Sequence, residues 1–405
     1  MHLIELRRAL HAHAEVGFDL FHTRSIIERE LEREGVEYKA IGSGSIMARI
    51  GKGTHGILLR ADMDALPMRE MTSLPFASRG ECMHACGHDM HTAMLLGAIS
   101  RLGKKREKFP FEVRFLFQAS EENLCGARDA ILYGALEPWD KITTKNDVEC
   151  KQELENRREY FITKAYSLHC VTALPLQVGT LIVGAGGTVA PASSFFSLTL
   201  RGENAHGATP HIGKDALLAM NMAYQALLTL PQRCASPQDS PLLTVGKLKA
   251  GEAPNVIPSL ATLEGTIRSM SDDTQATLCE RAKALTEQIA HAYGVAPEFQ
   301  ITGGAPTLSN AMRLSKEVAA SLTACLGEGC VLRGEALSRE GQRVVGGSED
   351  FAHFSRRVPS LFIGIAAGDS REGYTHPLHH PEVRFDERSL EIGAHTLELL
   401  ALFEL

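Results

Sequence analysis

The chain has 405 residues, of which 44% are hydrophobic, so it is long enough to bury the cores of two globular domains. Its formal net charge of −7 is modest and its basic residues are scattered, which argues against a nucleic-acid partner. The N-terminal stretch is charged and no run approaches the roughly eighteen apolar residues of a membrane span, so neither a signal peptide nor a membrane helix is predicted. The 9 irregularly spaced cysteines are typical of free thiols in a reducing compartment, and we expect a cytoplasmic protein.

Helices and strands alternate in the first part of the chain. Leu3 to Ala14 and Thr23 to Glu34 have the periodicity of amphipathic helices, the second ended by Gly35. Three later strand-like runs each end near a polar side chain, namely residues 55–62 at Asp62, 111–117 near Glu121 and 165–168 at His169. This pattern predicts an α/β fold with a mostly parallel sheet flanked by helices, whose sites gather beyond the carboxyl ends of the strands.

A composition shift to small residues near Val183 to Pro191 indicates a domain boundary. The following residues predict a compact α+β unit with strands near 194–201, 242–248 and 260–268 and helices at 215–230 and 274–293. After Gly303 the α/β pattern resumes with a helix at 311–326 and a strand at 360–365. We therefore expect a catalytic domain formed by residues 1–188 and 303–405, interrupted by a smaller domain of residues 189–302.

The densest group of chemically reactive side chains is the run from Cys82 to Thr92, which contains two thiols, three imidazoles and a carboxylate before a predicted helix. This composition is typical of a metal site. Cys86 and His88 could converge on an ion only in a turn, whereas His88 could instead pair with His84 or His91 at helical spacing. The local pattern leaves these choices open, together with a purely structural role for each residue.

Two adjacent carboxylates, Glu121 and Glu122, follow the strand at 111–117. Because neighbouring side chains usually face different directions, one could hold a metal while the other transfers protons. They could instead be acidic residues at a helix N-terminus. His169, at the end of another strand, and the loop from His376 to His380 supply further imidazoles.

The motifs of this chain, taken in order, resemble those of the M20 metallopeptidase superfamily, and most closely its amidohydrolase branch. The matching segments are Arg60-Ala-Asp62-Met-Asp64-Ala-Leu-Pro67, Met83 to Ala93, Glu121-Glu122, Asn204 to His211, Asn255 to Pro258, Gly265 to Arg268, Gly347 to Phe351 and Leu378 to Pro381. The resemblance runs over almost the whole chain and implies a zinc-exopeptidase-like fold with an inserted lid or dimerisation domain. It implies an enzyme that cleaves the amide bond of N-acyl amino acids or related conjugates.

The same resemblance implies a role for each matching residue. Five residues would bind two divalent ions, with Zn, Mn, Co or Ni as the candidate metals: Cys86, His88, Glu122, His169 and His379. Glu121 would be the general base, and His206 would stabilise the oxyanion in a neighbouring subunit of a homodimer or larger homo-oligomer. Asn255 and Arg268 would bind the substrate, and Asp62 would support the site from behind the ligands, because Arg60 stands where other branches carry a ligand histidine.

Two other functions are compatible with these residues. Cys86 could be the nucleophile of a thiol hydrolase with a histidine as its base, or the chain could be a non-catalytic relative that binds a metal or ligand. The polar, charged segment from Trp139 to Tyr160 is longer than expected for the branch, and we interpret it as a solvated surface excursion.

Overall fold

The computed structural model describes residues 2–145, 159–334 and 347–405. They divide into two compact units. The first unit contains the described residues of Met1–Val189, Ser309–Val344 and Asp350–Leu405, and the second contains those of Ala190–Leu308 and Val345–Glu349.

The elements are named in chain order. The strands are β1 Glu37–Ile41, β2 Ser45–Ile50, β3 Gly56–Asp62, β4 Glu112–Gln118, β5 Ile162–Val171, β6 Leu181–Val183, β7 Gly187–Ala190, β8 Ala192–Arg201, β9 Ala205–His206, β10 Leu242–Ala250, β11 Val256–Ile257, β12 Leu260–Ser269, β13 Ala296–Ala305, β14 Leu308–Asn310, β15 Val331–Arg333 and β16 Ser360–Ala366. The α-helices are α1 His2–Ala12, α2 Phe21–Arg33, α3 His88–Gly103, α4 Gly126–Leu132, α5 Ala216–Cys234, α6 Asp272–Ala292, α7 Met312–Leu326, α8 Ala352–Ser355 and α9 Ser389–Leu402.

The first unit is built on an eight-stranded mixed sheet with the order β1-β2-β4-β3-β5-β16-β6-β15. The four central strands, β4, β3, β5 and β16, are parallel, and β1 and β2 add antiparallel strands at one edge. Asp62 of β3 is paired in register with Gln118 of β4, so the polar side chains at these two strand ends lie next to each other. The predicted fold class is confirmed, and the sheet carries its polar groups where the alternation of strands and helices predicts them.

The core of the first unit lies between this sheet and α3, which is buried along almost its whole length and packs against α1 and α9. Two glycines permit the close approach of α3 and α9. A Cβ added at Gly97 would lie 2.7 Å from the Cβ of Ala394, and one added at Gly393 would lie 2.2 Å from the Sδ of Met94. Because α3 begins at His88, its packing also fixes the position of that imidazole.

The second unit has a four-stranded antiparallel sheet with the order β10-β12-β8-β13, against which α5 and α6 pack. Its core is apolar and includes Phe196, Leu198 and Leu263. Asp215 caps α5 through the N–H of Leu218, and Ser271 caps α6 through the N–H of Thr274. A separate two-stranded ribbon pairs β9 with β11.

Residues 139–160 are interpreted from the sequence as a solvated surface excursion, and this is wrong for the first residue of the segment, Trp139. Trp139 is buried, its indole Nε1 donates to Glu37 Oε1 at 2.8 Å, and the Arg49 guanidinium lies 4.4 Å from its ring centroid. This aromatic side chain is an anchor for the strand pair at the sheet edge, whereas Asp140 next to it is exposed as predicted. Residues 146–158 lie outside the described part of the chain. Among the described helices, none has the length and hydropathy required to cross a membrane.

Gly97→Ala should destabilise the protein, because its methyl group would force α3 away from α9 and such overpacking costs about 1–3 kcal/mol. Gly103→Ala is the matched control in the same helix, since nothing lies within 4 Å of its added Cβ. The control should leave stability equal or raise it by up to about 1 kcal/mol. Thermal unfolding followed by calorimetry measures both, and equal midpoints for the two variants would refute this account of the helix crossing.

Candidate active site

The loop before α3 presents Cys86 and His88 through a sharp turn at Gly87. Gly87 has φ +87°, and a Cβ there would lie 3.1 Å from the Phe385 ring and 3.2 Å from the Cβ of Cys170. Only glycine fits both the conformation and the space. His88 Nδ1 is 2.8 Å from the backbone oxygen of Asp64, so it carries the hydrogen and donates, and Nε2 keeps its lone pair.

Four side chains of the first unit, those of His88, Glu122, His169 and His379, converge around the thiol of Cys86. Its Sγ lies 3.4 Å from His379 Nε2 and 3.6 Å from His169 Nε2. Glu122 Oε1 lies 3.6 Å from His379 Nε2 and 3.9 Å from His88 Nε2. The structure therefore brings together all five residues that the resemblance implies as metal ligands.

The ring of His169 and the backbone of His379 are both held so that their Nε2 atoms face Cys86. His169 Nδ1 donates to the oxygen of Cys170 at 2.8 Å, so its Nε2 has the lone pair that faces Cys86. His379 has φ +64°, an uncommon conformation for a non-glycine residue, and its N–H donates to Ala85 O at 2.9 Å. Of the three imidazoles in this loop, that of His379 faces Cys86. The rings of His376 and His380 instead stack on each other, with centroids 4.2 Å apart. The His379 side chain is 52% exposed, so the cluster is open on this side.

The cluster fits a bound cation, as two independent features show. His88 Nε2 and Glu122 Oε1 are buried without a hydrogen-bond partner among the described residues, an arrangement that is costly unless another group satisfies them. Burial and the nearby Glu122 carboxylate raise the pKa of the Cys86 thiol well above its usual value, and burial raises the pKa of Glu122 to about 7. Both ionised forms therefore need a neighbouring positive charge, and a thiolate, imidazole and carboxylate donor set suits a transition-metal ion.

Glu121 and Glu122 lie in a tight turn rather than at a helix N-terminus, since α4 begins only at Gly126. Ser120 before them has φ +58°, and the Asp64 carboxylate accepts the N–H groups of both, at 3.0 Å from Glu121 and 3.2 Å from Glu122. The Glu121 carboxylate is buried, with Oε2 4.0 Å from His88 Nε2 and Oε1 3.4 Å from the N–H of Asp350. The turn thus places both carboxylates near His88, while Glu121 also contacts the backbone of Asp350 and Glu122 lies near His379.

Asp62 lies behind the cluster and is already paired. Its carboxylate accepts from Arg60 Nη1 at 2.7 Å and from His91 Nδ1 at 2.5 Å. Burial alone would raise its pKa, but the positive charge of Arg60 holds it well below the ordinary value. The second ring nitrogen of His91 accepts from the N–H of Cys170 at 2.7 Å, so His91 has no lone pair left for a metal although it lies near His88 and His169.

Three further polar residues belong to the site although the sequence gives no role to them: Asp64, His91 as a partner of Asp62, and Asp350. Asp64 orders the carboxylate turn and, through its backbone oxygen, fixes the tautomer of His88. Its motif, Asp62-Met-Asp64, was the available signal, because two carboxylates two positions apart at the end of a buried strand need partners.

The remaining predicted residues belong to the second unit. The β9–β11 ribbon pairs His206 with Val256, and the N–H of Gly207 donates to the oxygen of Asn255 at 2.8 Å, so His206 and Asn255 lie at one end of this ribbon. Arg268 lies on β12, is half-buried, and its Nη1 donates to Ser348 Oγ at 2.8 Å. The ribbon therefore does not include Arg268, which lies in the separate four-stranded sheet.

Comparisons with known proteins identify the family to which this chain belongs. The model of the protein family described as "Peptidase family M20/M25/M40" matches residues 58–402 of this chain. An N-acetylcysteine deacetylase of Bacillus subtilis is 30% identical over 100% of this chain and 97% of its own length, and the IAA-amino acid hydrolase ILR1-like 2 of Arabidopsis thaliana is 29% identical over 97% and 82%. A solved Bacillus subtilis structure described as a dinuclear metal binding peptidase of the M20 family has a TM-score of 0.74 and 27% identity, covering 100% of this chain and 98% of that one. The chain belongs to the M20/M25/M40 peptidase family and is a metal-dependent amidohydrolase.

Proposed function

We propose that this protein hydrolyses the amide bond of N-acyl amino acids or related conjugates, with two divalent metal ions held by Cys86, His88, Glu122, His169 and His379. The convergence of these five donors, two of them with buried unpartnered atoms, is the observation that carries the proposal. Zn, Mn, Co and Ni all accept such a mixed donor set. When bound at these residues, the two ions would supply Lewis acidity, polarising the amide carbonyl and making water a stronger acid.

Glu121 is the proposed general base. Its carboxylate lies 4.0 Å from His88 Nε2, and its neighbour Glu122 occupies the ligand position, so Glu121 can accept the proton of the attacking water and return it to the leaving amine. Proton return is required because an amine is a poor leaving group in its deprotonated form. A protein that only binds a ligand would not need a second buried carboxylate at this position.

A thiol hydrolase is the weaker alternative. A nucleophilic cysteine needs a lowered pKa, whereas burial raises the pKa of Cys86. Its two neighbouring imidazoles, from His169 and His379, each present Nε2 towards the sulfur, an arrangement that suits shared ligation.

The substrate class rests on the relatives and on the second unit. The similar proteins include a deacetylase of N-acetylcysteine and a hydrolase of an amino-acid conjugate. In this proposal Arg268 binds the substrate carboxylate with its planar pair of donors, and Asn255 supplies an amide contact. His206 donates to the oxyanion of the tetrahedral intermediate in the active site of a neighbouring subunit.

We also propose that the second unit forms a homodimer interface. Along α5, Leu217, Leu218 and Met222 are at least 40% exposed, and Leu242 and Leu248 are exposed on β10, the strand at one edge of its sheet. An edge strand with apolar neighbours is a surface that a second copy can cover. The eight described cysteines are free, which supports a reducing compartment such as the cytosol.

Glu121→Gln should lower kcat by about 10²–10⁴-fold while the metal content stays at the wild-type level, because the amide keeps the shape of the side chain but accepts no proton. Glu122→Gln is the matched neighbour and should instead lose metal affinity. Turnover of an N-acetyl amino acid and metal content by mass spectrometry test both. A Glu121→Gln enzyme with wild-type kcat would refute the assignment of the base.

Removal of metal with a chelator should abolish hydrolysis, and addition of Zn²⁺, Mn²⁺, Co²⁺ or Ni²⁺ should restore it. A thiol hydrolase would behave in the opposite way, retaining activity in chelator and losing it to an alkylating agent. The exposed Cys325 and Cys330 would react under the same conditions, so Cys325→Ser/Cys330→Ser protein is the reference for the alkylation arm.

His206→Ala should lower kcat by about 10²–10³-fold without loss of metal, as removal of one oxyanion donor does elsewhere. If His206 acts across subunits, mixed dimers of His206→Ala and Glu121→Gln contain one intact site and should recover part of the activity. Co-expression with two affinity tags isolates these mixed dimers. Mixed dimers no more active than either parent would contradict action in trans.

A further inference from the structure

We propose that Asp350 is a positioning residue for Glu121, and that a buried chain of hydrogen bonds through Arg60 couples Glu121 to His169. The polar relay, as we call it, consists of Asp350, Arg60, Asp62, His91 and Cys170. This inference rests on the proposed function, since it assumes that Glu121 is the base.

The contact between Asp350 and Glu121 is direct. The N–H of Asp350 lies 3.4 Å from Glu121 Oε1, so the Asp350 backbone helps to set where that carboxylate stands. Asp350 is also the residue at which the chain re-enters the first unit. Its position therefore depends on what holds its side chain.

The Asp350 carboxylate is fully buried and its oxygens accept from three groups. Oδ1 accepts from Arg60 Nη2 at 2.9 Å, Oδ2 accepts from the N–H of Ala127 at 2.8 Å, and Gln118 Nε2 lies within 2.9 Å of both oxygens. Arg60 is fully buried too, and its Nε donates to Gln118 Oε1 at 3.0 Å. Such a paired and satisfied buried charge is rigid, because moving any member leaves an uncompensated charge.

Arg60 continues the relay to the other side of the site. Its Nη1 donates to Asp62, Asp62 accepts from His91, His91 accepts from the N–H of Cys170, and the oxygen of Cys170 accepts from His169 Nδ1. Each bond in this sequence is between 2.5 and 2.8 Å. The Arg60 guanidinium therefore connects the proposed base Glu121, on one side of the site, with the proposed ligand His169 on the other side.

The combination of positive charge and planar geometry makes arginine the fitting residue at the centre of the relay. Asp62 and Asp350 accept from different nitrogens of the same guanidinium, which spans both carboxylates in one plane. Lysine would offer a single ammonium nitrogen in place of this fork. Arg60→Lys is thus a variant that preserves charge and breaks the geometry.

Asp350→Asn should lower kcat by about 10–100-fold, with KM within about twofold and metal content unchanged, because the amide group must place a donor against the N–H of Ala127 or the Gln118 amide. Arg60→Lys should act in the same direction. Asp386→Asn is the control: its carboxylate is also buried in the first unit but pairs with Arg388, and kcat should not change. All assays are run well below the melting temperature of each variant.

The decisive measurement is the double variant Glu121→Gln/Asp350→Asn, compared with Glu121→Gln at high enzyme concentration. If Asp350 acts through Glu121, the two rates agree within about twofold, whereas a general structural defect would multiply the losses. Wild-type kcat in Asp350→Asn, or multiplied losses in the double variant, would overturn the relay while Glu121→Gln keeps its low but measurable kcat. A fully active Glu121→Gln would instead overturn the proposed function itself.

Discussion

The first unit is organised around buried ionisable groups that have too few protein partners to be stable as charged groups by themselves. Nε2 of His88 and Oε1 of Glu122, which have no hydrogen-bond partner in the described part of the chain, face one cluster, and burial disfavours the thiolate of Cys86. Bound cations would remove this cost, because they supply the positive charge that the ligands lack. The fold contributes the rigid supports: a parallel sheet that delivers Asp62 and Gln118 to the same edge, and α3, which starts at His88.

The supports are themselves polar, so the site has two layers with different tasks. The layer behind the ligands is fully hydrogen-bonded, with Asp64 holding the carboxylate turn and His88, and with Arg60 shared between Asp62 and Asp350. The layer in front is only partly satisfied and open at His379. Saturated groups cannot ligate, which explains why His91 is a support although it stands at helical spacing from His88.

Much of this arrangement follows from the sequence. The strands that end in Asp62, Glu121 and His169 predict one polar edge, and the helix and strand periodicities place most elements within a few residues of their observed bounds. The short strands and helices were mostly not predicted, and neither were the edge strands β1 and β2, the strand β13 and the helix α9. Periodicity also failed at Trp139, because a single aromatic side chain in a charged run can be buried by cation contacts that lie far away in the chain.

The choice among histidines required three-dimensional contacts. Whether His84, His88 or His91 faces the cluster depends on the positive φ of Gly87 and on which ring nitrogens are already hydrogen-bonded. The spacing of the histidines in the sequence predicts neither property. The same holds for Asp350, since its partner Arg60 is 290 positions away in the chain. A sequence motif does not predict which residue from a distant part of the chain will pair with it.

The most direct test of the central claim is anomalous X-ray scattering from a crystal of the metal-loaded protein, recorded at the absorption edge of the added ion. Two peaks are expected in the first unit, both among the side chains of Cys86, His88, Glu122, His169 and His379. Peaks elsewhere, with these five side chains free of metal, would contradict it.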